Sequence, residues 1–366
     1  MAISTIPTRA FTQQGINFRN LIMNGDMSVA QRGTSFSSTG DVYVLDRFKL
    51  DYVGSPSVRY TVSQDTDTPT GQSFAKSMKF DVTTAEVSQS ETTRLWTRIE
   101  SQNLQMLKYG TSNAETLSLS FWVKSNLTGT FIFWLYQEDS TRSISKSYTI
   151  SSANTWEKKT ITIDADTSGQ INNDNGAGLR VVWFLTADQS TYGSSSLQTS
   201  WGSYNATAVA TGQTNVGSST SNEFYITGIQ LEVGTSASDF EFLPHDVNLR
   251  RCMRYFQQMG NNDAMDQTAT QSGTRFLQGQ REGSDNAEAK CICPLLVPLR
   301  TNPTITKNDI NFRQDGTNTD FNAMSVRNFG NVLEITVSNT SNFNTGESMM
   351  IRSTSADSYL RFDSEL

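Results

Sequence analysis

Apolar and polar residues alternate with a period of two along much of the chain. Val58, Tyr60 and Val62 alternate with Arg59, Thr61 and Ser63, and Met78, Phe80 and Val82 with Lys79 and Asp81. Leu117, Leu119, Phe121 and Val123 alternate with Ser118, Ser120, Trp122 and Lys124, and Leu333, Ile335 and Val337 with Glu334 and Thr336. Successive side chains of a strand point to opposite faces, so this pattern predicts antiparallel sheets with one buried and one wetter face. Turn clusters such as Ser125-Asn126-Leu127-Thr128-Gly129 separate the runs, and their spacing predicts a sandwich or jelly roll. From Phe224 to Val233 the apolar parity shifts from even (Phe224, Ile226) to odd (Ile229, Leu231, Val233) across Gly228, which predicts a β-bulge. The fold class expected is all-β: an antiparallel jelly-roll sandwich followed by a smaller β-sandwich.

Helix signals are scarce. Residues 103–110 predict one or two turns ending on Gly110. Asp246 is placed to cap a helix carrying Leu249, Met253 and Phe256 on one face and Arg250, Arg251 and Arg254 on the other. That segment follows Pro244 and precedes a new β-type region. The division expected is therefore an N-terminal docking arm (1–16), a jelly roll (17–243) and a C-terminal β domain (244–366). Of the 37 positions from 186 to 222, 26 are Ser, Thr, Gly, Asn or Gln, yet the stretch carries Tyr192, Trp201 and Tyr204. A connection that long is functional or disordered in a compact domain, and its aromatics predict a surface loop pinned in place.

Composition narrows the function. The 366 residues hold 29 Lys and Arg against 36 Asp and Glu, a net charge of −7, with no basic stripe of the kind that binds nucleic-acid phosphates. No apolar run approaches the roughly 18 residues of a membrane helix, and the longest, Phe131 to Tyr136, has strand length. Neither nucleic acid binding nor membrane insertion is expected, and the first residues lack the pattern of a secretion signal. Cys252, Cys291 and Cys293 read as buried free thiols of a protein assembled in a reducing cytoplasm. The single histidine, His245, leaves no room for a His-rich metal site and little for a catalytic triad. Gly176-Ala177-Gly178 lacks the third glycine of a dinucleotide loop and reads as a turn before a strand. An enzyme built from this inventory would have to be a carboxylate-pair glycosidase, and no carboxylate pair stands out. No enzyme activity is expected.

Two kinds of candidate site remain. Aromatic rings that stack on pyranose faces are supplied by Trp122, Trp134, Tyr136 and Trp183 on strands and by Tyr192, Trp201 and Tyr204 on the loop. The plainer alternatives are packing inside the sandwich for the strand residues and a subunit contact for the loop residues. Asp164, Asp166 and Ser168, with Gly169 at the bend, space oxygen ligands as in a calcium loop. Position 12 of that loop is Asn175 rather than glutamate and its flank reads as strand, so a polar turn competes with a Ca²⁺ site. No other cofactor is expected.

Several words of the sequence occur together in one known group. Asn20-Leu21-Ile22-Met23-Asn24-Gly25-Asp26-Met27-Ser28-Val29-Ala30-Gln31-Arg32-Gly33-Thr34, then Leu45-Asp46-Arg47-Phe48, resembles the opening of bacteriophage tail-fibre and virion structural proteins whose jelly roll is similar to carbohydrate-binding modules. Leu119 to Ser125 with Thr128 to Thr130, Thr155 to Ile163, and Phe224 to Gly234 are similar to later strands of that group. Arg251-Cys252-Met253-Arg254-Tyr255-Phe256, Val297 to Thr306 and the end Asp363-Ser364-Glu365-Leu366 resemble its C-terminal β domain. The resemblance implies a non-catalytic virion component, often a trimer. It further implies docking to other virion proteins, here through the arm, and in some members binding of host-surface glycans. A decoration, collar or head-fibre protein without glycan binding is the alternative.

Overall fold

The structure, a computed structural model, describes residues 18–260 apart from 39, 55–56 and 58, and then 275–281, 288–314, 317–319, 323–338, 348–354 and 358–366. The expected arm, 1–16, lies outside the described residues. Thirteen strands build the first part: β1 (Ser35–Ser38), β2 (Val42–Tyr43), β3 (Lys49–Val53), β4 (Arg59–Asp65), β5 (Ser77–Thr84), β6 (Thr92–Glu100), β7 (Leu117–Ser125), β8 (Gly129–Gln137), β9 (Arg142–Ile150), β10 (Glu157–Ile163), β11 (Ala177–Thr186), β12 (Gly202–Ser203) and β13 (Glu223–Val233). They form a six-stranded sheet, ordered β1-β4-β5-β13-β7-β10, and a seven-stranded sheet, ordered β12-β9-β8-β11-β6-β3-β2. Every pairing is antiparallel, and the two sheets make an all-β jelly-roll sandwich.

The alternating residues meet between the sheets. Leu119, Phe121 and Val123 of β7 face Phe131, Phe133 and Leu135 of β8 and Val181 and Trp183 of β11 in one continuous core. Phe121 packs edge-on against Trp183, with centroids 5.8 Å apart, and Phe131 lies 5.9 Å from Phe224, so aromatic pairs tie sheet to sheet. Trp183, one of the strand aromatics that could have faced outward, belongs to this core: its parity is that of Val181 and Leu185. The shift in β13 is real. Register breaks between Thr227 and Gln230, and Gly228 takes φ +61, which glycine adopts without Cβ strain.

Among the described residues helix is limited to short pieces, including α1 (Gln189–Tyr192) and α2 (His245–Met253). The segment expected to turn helically before Gly110 is a 3-10 helix, Ser101–Leu107. Helix α2 buries Asn248 and Cys252 rather than the expected Leu249–Met253 face, and Phe256 already belongs to the next strand. The reason is its neighbour: the Asn248 amide donates to Asp26 Oδ1 and Ser28 Oγ and accepts from the Asn24 N–H, so a polar contact sets the helix rotation. Among the described residues no helix is long and apolar enough to cross a membrane.

Among the described residues ten further strands form the second part: β14 (Phe256–Gly260), β15 (Arg275–Arg281), β16 (Glu288–Pro294), β17 (Thr304–Asn308), β18 (Ile310–Gln314), β19 (Thr317–Thr319), β20 (Ala323–Asn328), β21 (Val332–Ser338), β22 (Ser348–Ser353) and β23 (Tyr359–Asp363). A three-stranded sheet (β14-β23-β17) and a seven-stranded sheet (β19-β18-β22-β15-β16-β21-β20) enclose a smaller core around Cys291, Cys293, Ile335 and Phe362. All three cysteines are buried free thiols.

A seam joins the two parts. Glu100, fully buried at the end of β6, takes two hydrogen bonds from Arg254 at 2.6 and 2.9 Å and one from the Tyr255 hydroxyl at 2.5 Å. Arg47 lies over the Tyr255 ring at 3.4 Å and pairs with Glu365, while Arg32 lies over Phe256 at 3.8 Å and pairs with Asp363. The backbone oxygen of Leu366 accepts from Tyr43 at 2.8 Å and Arg98 at 2.7 Å, which carries the seam to the edge of the seven-stranded sheet.

Candidate functional site: an arginine–aromatic face

The outer face of the seven-stranded sheet is built by the residues between those that fill the core. On β6 these are Arg94, Trp96 and Arg98, on β11 Arg180, Val182 and Phe184, on β8 Ile132, Trp134 and Tyr136. Antiparallel register sets Trp96 and Trp134 on either side of Val182, and Arg98 and Tyr136 on either side of Arg180. Half of this face has a roof. Residues of the 186–222 loop lay Ala187, Val209 and Ala210 on Ile132, Val182 and Phe184. Polar side chains hold the roof down: Gln213 Oε1 accepts the Ile132 N–H at 2.7 Å, and Ser145 Oγ donates to the Val209 carbonyl at 2.9 Å.

The other half ends in two partly exposed tyrosines over a buried tryptophan. Trp134, 3% exposed, forms its base. Tyr136 lies 5.2 Å from it and Tyr204 5.8 Å, with the two tyrosines 5.5 Å apart and nearly perpendicular. Tyr204 is 38% exposed, yet its backbone N–H is fixed to the Thr141 carbonyl next to the short strand β12. Rigid, partly wet aromatic rings on a sheet are a surface for stacking.

Charge surrounds these rings. Arg98 and Arg180 are direct cross-strand partners, a like-charge pair that costs stability in isolation. Glu138 offsets it, with one carboxylate oxygen accepting from both guanidiniums at 3.0 and 2.8 Å. Burial, and then the neighbouring Arg180, hold the Arg98 guanidinium below the ordinary arginine range. Arg98 is held on its other side by the Leu366 oxygen of the seam at 2.7 Å, whereas Arg180 turns to Glu138. Arg98 also lies over Trp96 at 4.4 Å and Arg180 over Tyr136 at 5.6 Å.

The remaining candidates lie elsewhere. Trp122 faces outward on the opposite, six-stranded sheet and lines a separate cleft. Tyr192 packs partly on the roofed apolar cluster and borders a cleft with Glu91 and Asp188. Trp201 stands edge-on to Tyr109 at 5.8 Å, and its indole donates to the Asp164 carbonyl at 2.7 Å. The structure therefore brings together Trp134, Tyr136 and Tyr204, with Tyr192 on the same apolar cluster, and keeps Trp122 and Trp201 apart from them. Sequence reasoning missed Trp96, Arg94, Arg98, Arg180 and Glu138. The period-two string Arg94-x-Trp96-x-Arg98, opposite in parity to Leu95 and Ile99, is the signal that could have found three of them.

The Asp164–Ser168 turn does not fit a cation. Both oxygens of the buried Asp166 are engaged by Arg142, at 2.8 and 3.0 Å, and Oδ1 also accepts the Ser168 N–H in a local turn. The guanidinium stands where a metal would have to be. Asp164 is turned outward and pairs with Lys146 at 3.5 Å. Among the described residues no group of three or more His, Cys, Asp or Glu is placed to hold a metal ion.

No protein-family model and no curated protein sequence matches the chain. Similar solved structures include the enzymatically active domain of tailspike protein 4 of bacteriophage CBA120, at 12% identity and TM-score 0.33, covering 59% of this chain and 22% of that one. The carbohydrate-binding module TmCBM61, solved with β-1,4-galactotriose, is similar at 10% identity and TM-score 0.29, covering 59% and 99%. So is the family 11 carbohydrate-binding module of the Clostridium thermocellum cellulase Lic26A-Cel5E, at 12% identity and TM-score 0.28, covering 55% and 99%. The ligands and activities in those descriptions belong to those proteins, and similarity at this level assigns no residue of this chain a role.

Proposed function

We propose that this protein is a non-catalytic, glycan-binding structural component of a bacteriophage virion, of tail-fibre type, and that Tyr136 and Tyr204 form its binding surface. The observation that carries the binding role is the pair of partly exposed tyrosines, Tyr136 and Tyr204, seated on the buried Trp134 beside Arg98 and Arg180. Tyrosine faces supply stacking area, and Arg180, Arg98 and Glu138 supply hydrogen-bond donors and an acceptor for hydroxyls. The two guanidiniums, Arg180 above all, favour a sugar bearing a carboxylate or phosphate, which arginine meets with paired donors. The virion role is supported by the sequence resemblance, which covers residues from both β parts. Docking through residues 1–16 and assembly as a trimer are part of the same proposal.

Screening the full chain against an array of acidic and neutral glycans tests the binding role. Retention of at least one acidic glycan is expected, with retention lost in Tyr204→Ala. An array without any bound acidic glycan, together with firm association of the protein with purified particles, would replace this reading with that of a decoration or collar protein.

A further inference from the structure

The opposite face of the sandwich carries a second feature that the arginine–aromatic face leaves unused. A cleft of about 390 Å³ opens on the outer side of the six-stranded sheet, within the roughly 300–1,000 Å³ range of small-molecule sites. Its floor is a row across three strands. Trp122 of β7 is paired with Lys158 of β10 on one side and with Thr227 of β13 on the other. There the bulge intervenes, and Phe74 lies directly on Gly228, where a Cβ would come within 2.6 Å of the ring. Phe74, Phe240 and Phe242 form an aromatic wall, with ring centroids 4.8 to 5.1 Å apart.

The wall is held in place. Gln230, fully buried just past the bulge, donates to the Asp239 carbonyl at 3.2 Å and accepts the Glu241 N–H at 2.8 Å. The bulge therefore both seats Phe74 and fixes the strap that carries Asp239, Phe240 and Phe242. Two charged groups reach this cleft without partners of their own. Among the described residues, neither the Lys158 ammonium nor the Asp239 carboxylate makes an ion pair or side-chain hydrogen bond.

We propose that this cleft is a second carbohydrate site, taking one neutral pyranose residue. A half-buried tryptophan offers a flat face for the apolar side of a sugar ring, the carboxylate of Asp239 accepts from hydroxyls and Lys158 donates to ring or hydroxyl oxygens. One unpaired charge of each sign cancels, so the site favours a neutral sugar, in contrast to the cationic face across the sandwich. This rests on the reading of the protein as a glycan binder, but the two sites share no residue and fail independently. The protein is thus bivalent, with sites for different sugars on opposite sheets.

The test follows the indole N–H signals of the six tryptophans of the full chain in a nitrogen-correlated NMR spectrum. The probes are the methyl glycosides of glucose, galactose, mannose, N-acetylglucosamine and N-acetylgalactosamine, added one at a time. The Trp122 signal, assigned by its loss in Trp122→Phe, moves with at least one of them. Asp239→Asn weakens that response about tenfold, Lys158→Ala weakens it less, and Tyr204→Ala leaves it unchanged. Asp239 and Lys158 are exposed, so both variants keep the fold should Trp122→Phe not. A Trp122 signal unmoved by the whole panel, or moved equally in Asp239→Asn, overturns the proposal even if acidic glycans bind the other face.

Discussion

The seam and the outer face of the seven-stranded sheet use the same chemistry and finish it differently. In the seam, Arg47 and Arg32 lie over Tyr255 and Phe256 with side chains only 3% and 7% exposed, and the chain's last residues close over them. On the outer face, Arg98 and Arg180 lie over Trp96 and Tyr136 and meet on Glu138, but their side chains stay 22% and 18% exposed, and only Arg98 also reaches the Leu366 oxygen of the seam. A covered arginine–aromatic lattice is structural. A partly uncovered one presents tyrosine rings and guanidiniums to solvent, the arrangement the proposed binding role needs. The residue types do not distinguish the two cases; what lies on top of them does.

The sharpest way to break the contrast is to remove the centre of the seam. Glu100→Ala leaves Arg254 and the Tyr255 hydroxyl without their acceptor, and removing one member of such a buried pair costs about 3–5 kcal/mol. Chemical denaturation should show a loss of that size. The roof on the outer face comes next. Gln213→Ala strips the acceptor from the buried Ile132 N–H, an expected loss of about 1–3 kcal/mol in the same assay.

Acid should loosen the seam by the same logic. Burial alone would raise the Glu100 pKa, but the hydrogen bonds from Arg254 and Tyr255 outweigh it and hold the carboxyl below the usual glutamate range. A lowered folded-state pKa means the stabilisation is complete above the unfolded value of about 4.5 and is lost as pH falls through the lowered value. Melting temperatures of the native chain should therefore fall more steeply below about pH 4.5 than those of Glu100→Gln. Equal slopes would place the acid-sensitive contact elsewhere. At the other end of the scale, Tyr204→Ala should change stability by no more than about 0.5 kcal/mol, as expected for a side chain standing partly in water.

The sandwich was legible in the sequence because period-two alternation records which face of a strand is buried. The parity break at Gly228 even located the bulge. The seam was present as words, since Gln31-Arg32, Asp46-Arg47, Arg254-Tyr255-Phe256 and Glu365-Leu366 all belong to the stretches that carry the family resemblance. Their meeting was not visible, because partners such as Arg47 and Glu365 lie more than 300 residues apart. The candidate site was legible only in part. The sequence left Trp134 and Tyr136 open between a stacking face and packing inside the sandwich, and could not show that a loop from residue 186 onward roofs one half of the outer face. It equally hid that Arg142 fills the turn at Asp166, since a guanidinium and a metal ion satisfy the same carboxylate. Long-range contacts decide these outcomes, and local pattern does not encode them.

The outer lattice is expected to bind and the seam only to hold. Isothermal titration of the acidic glycan best retained on the array, against the native chain and Tyr204→Ala at equal folded fraction, tests it most directly. Affinity at least about tenfold weaker in the variant, with an unchanged denaturation midpoint, is expected. Equal affinity for the two proteins would contradict it.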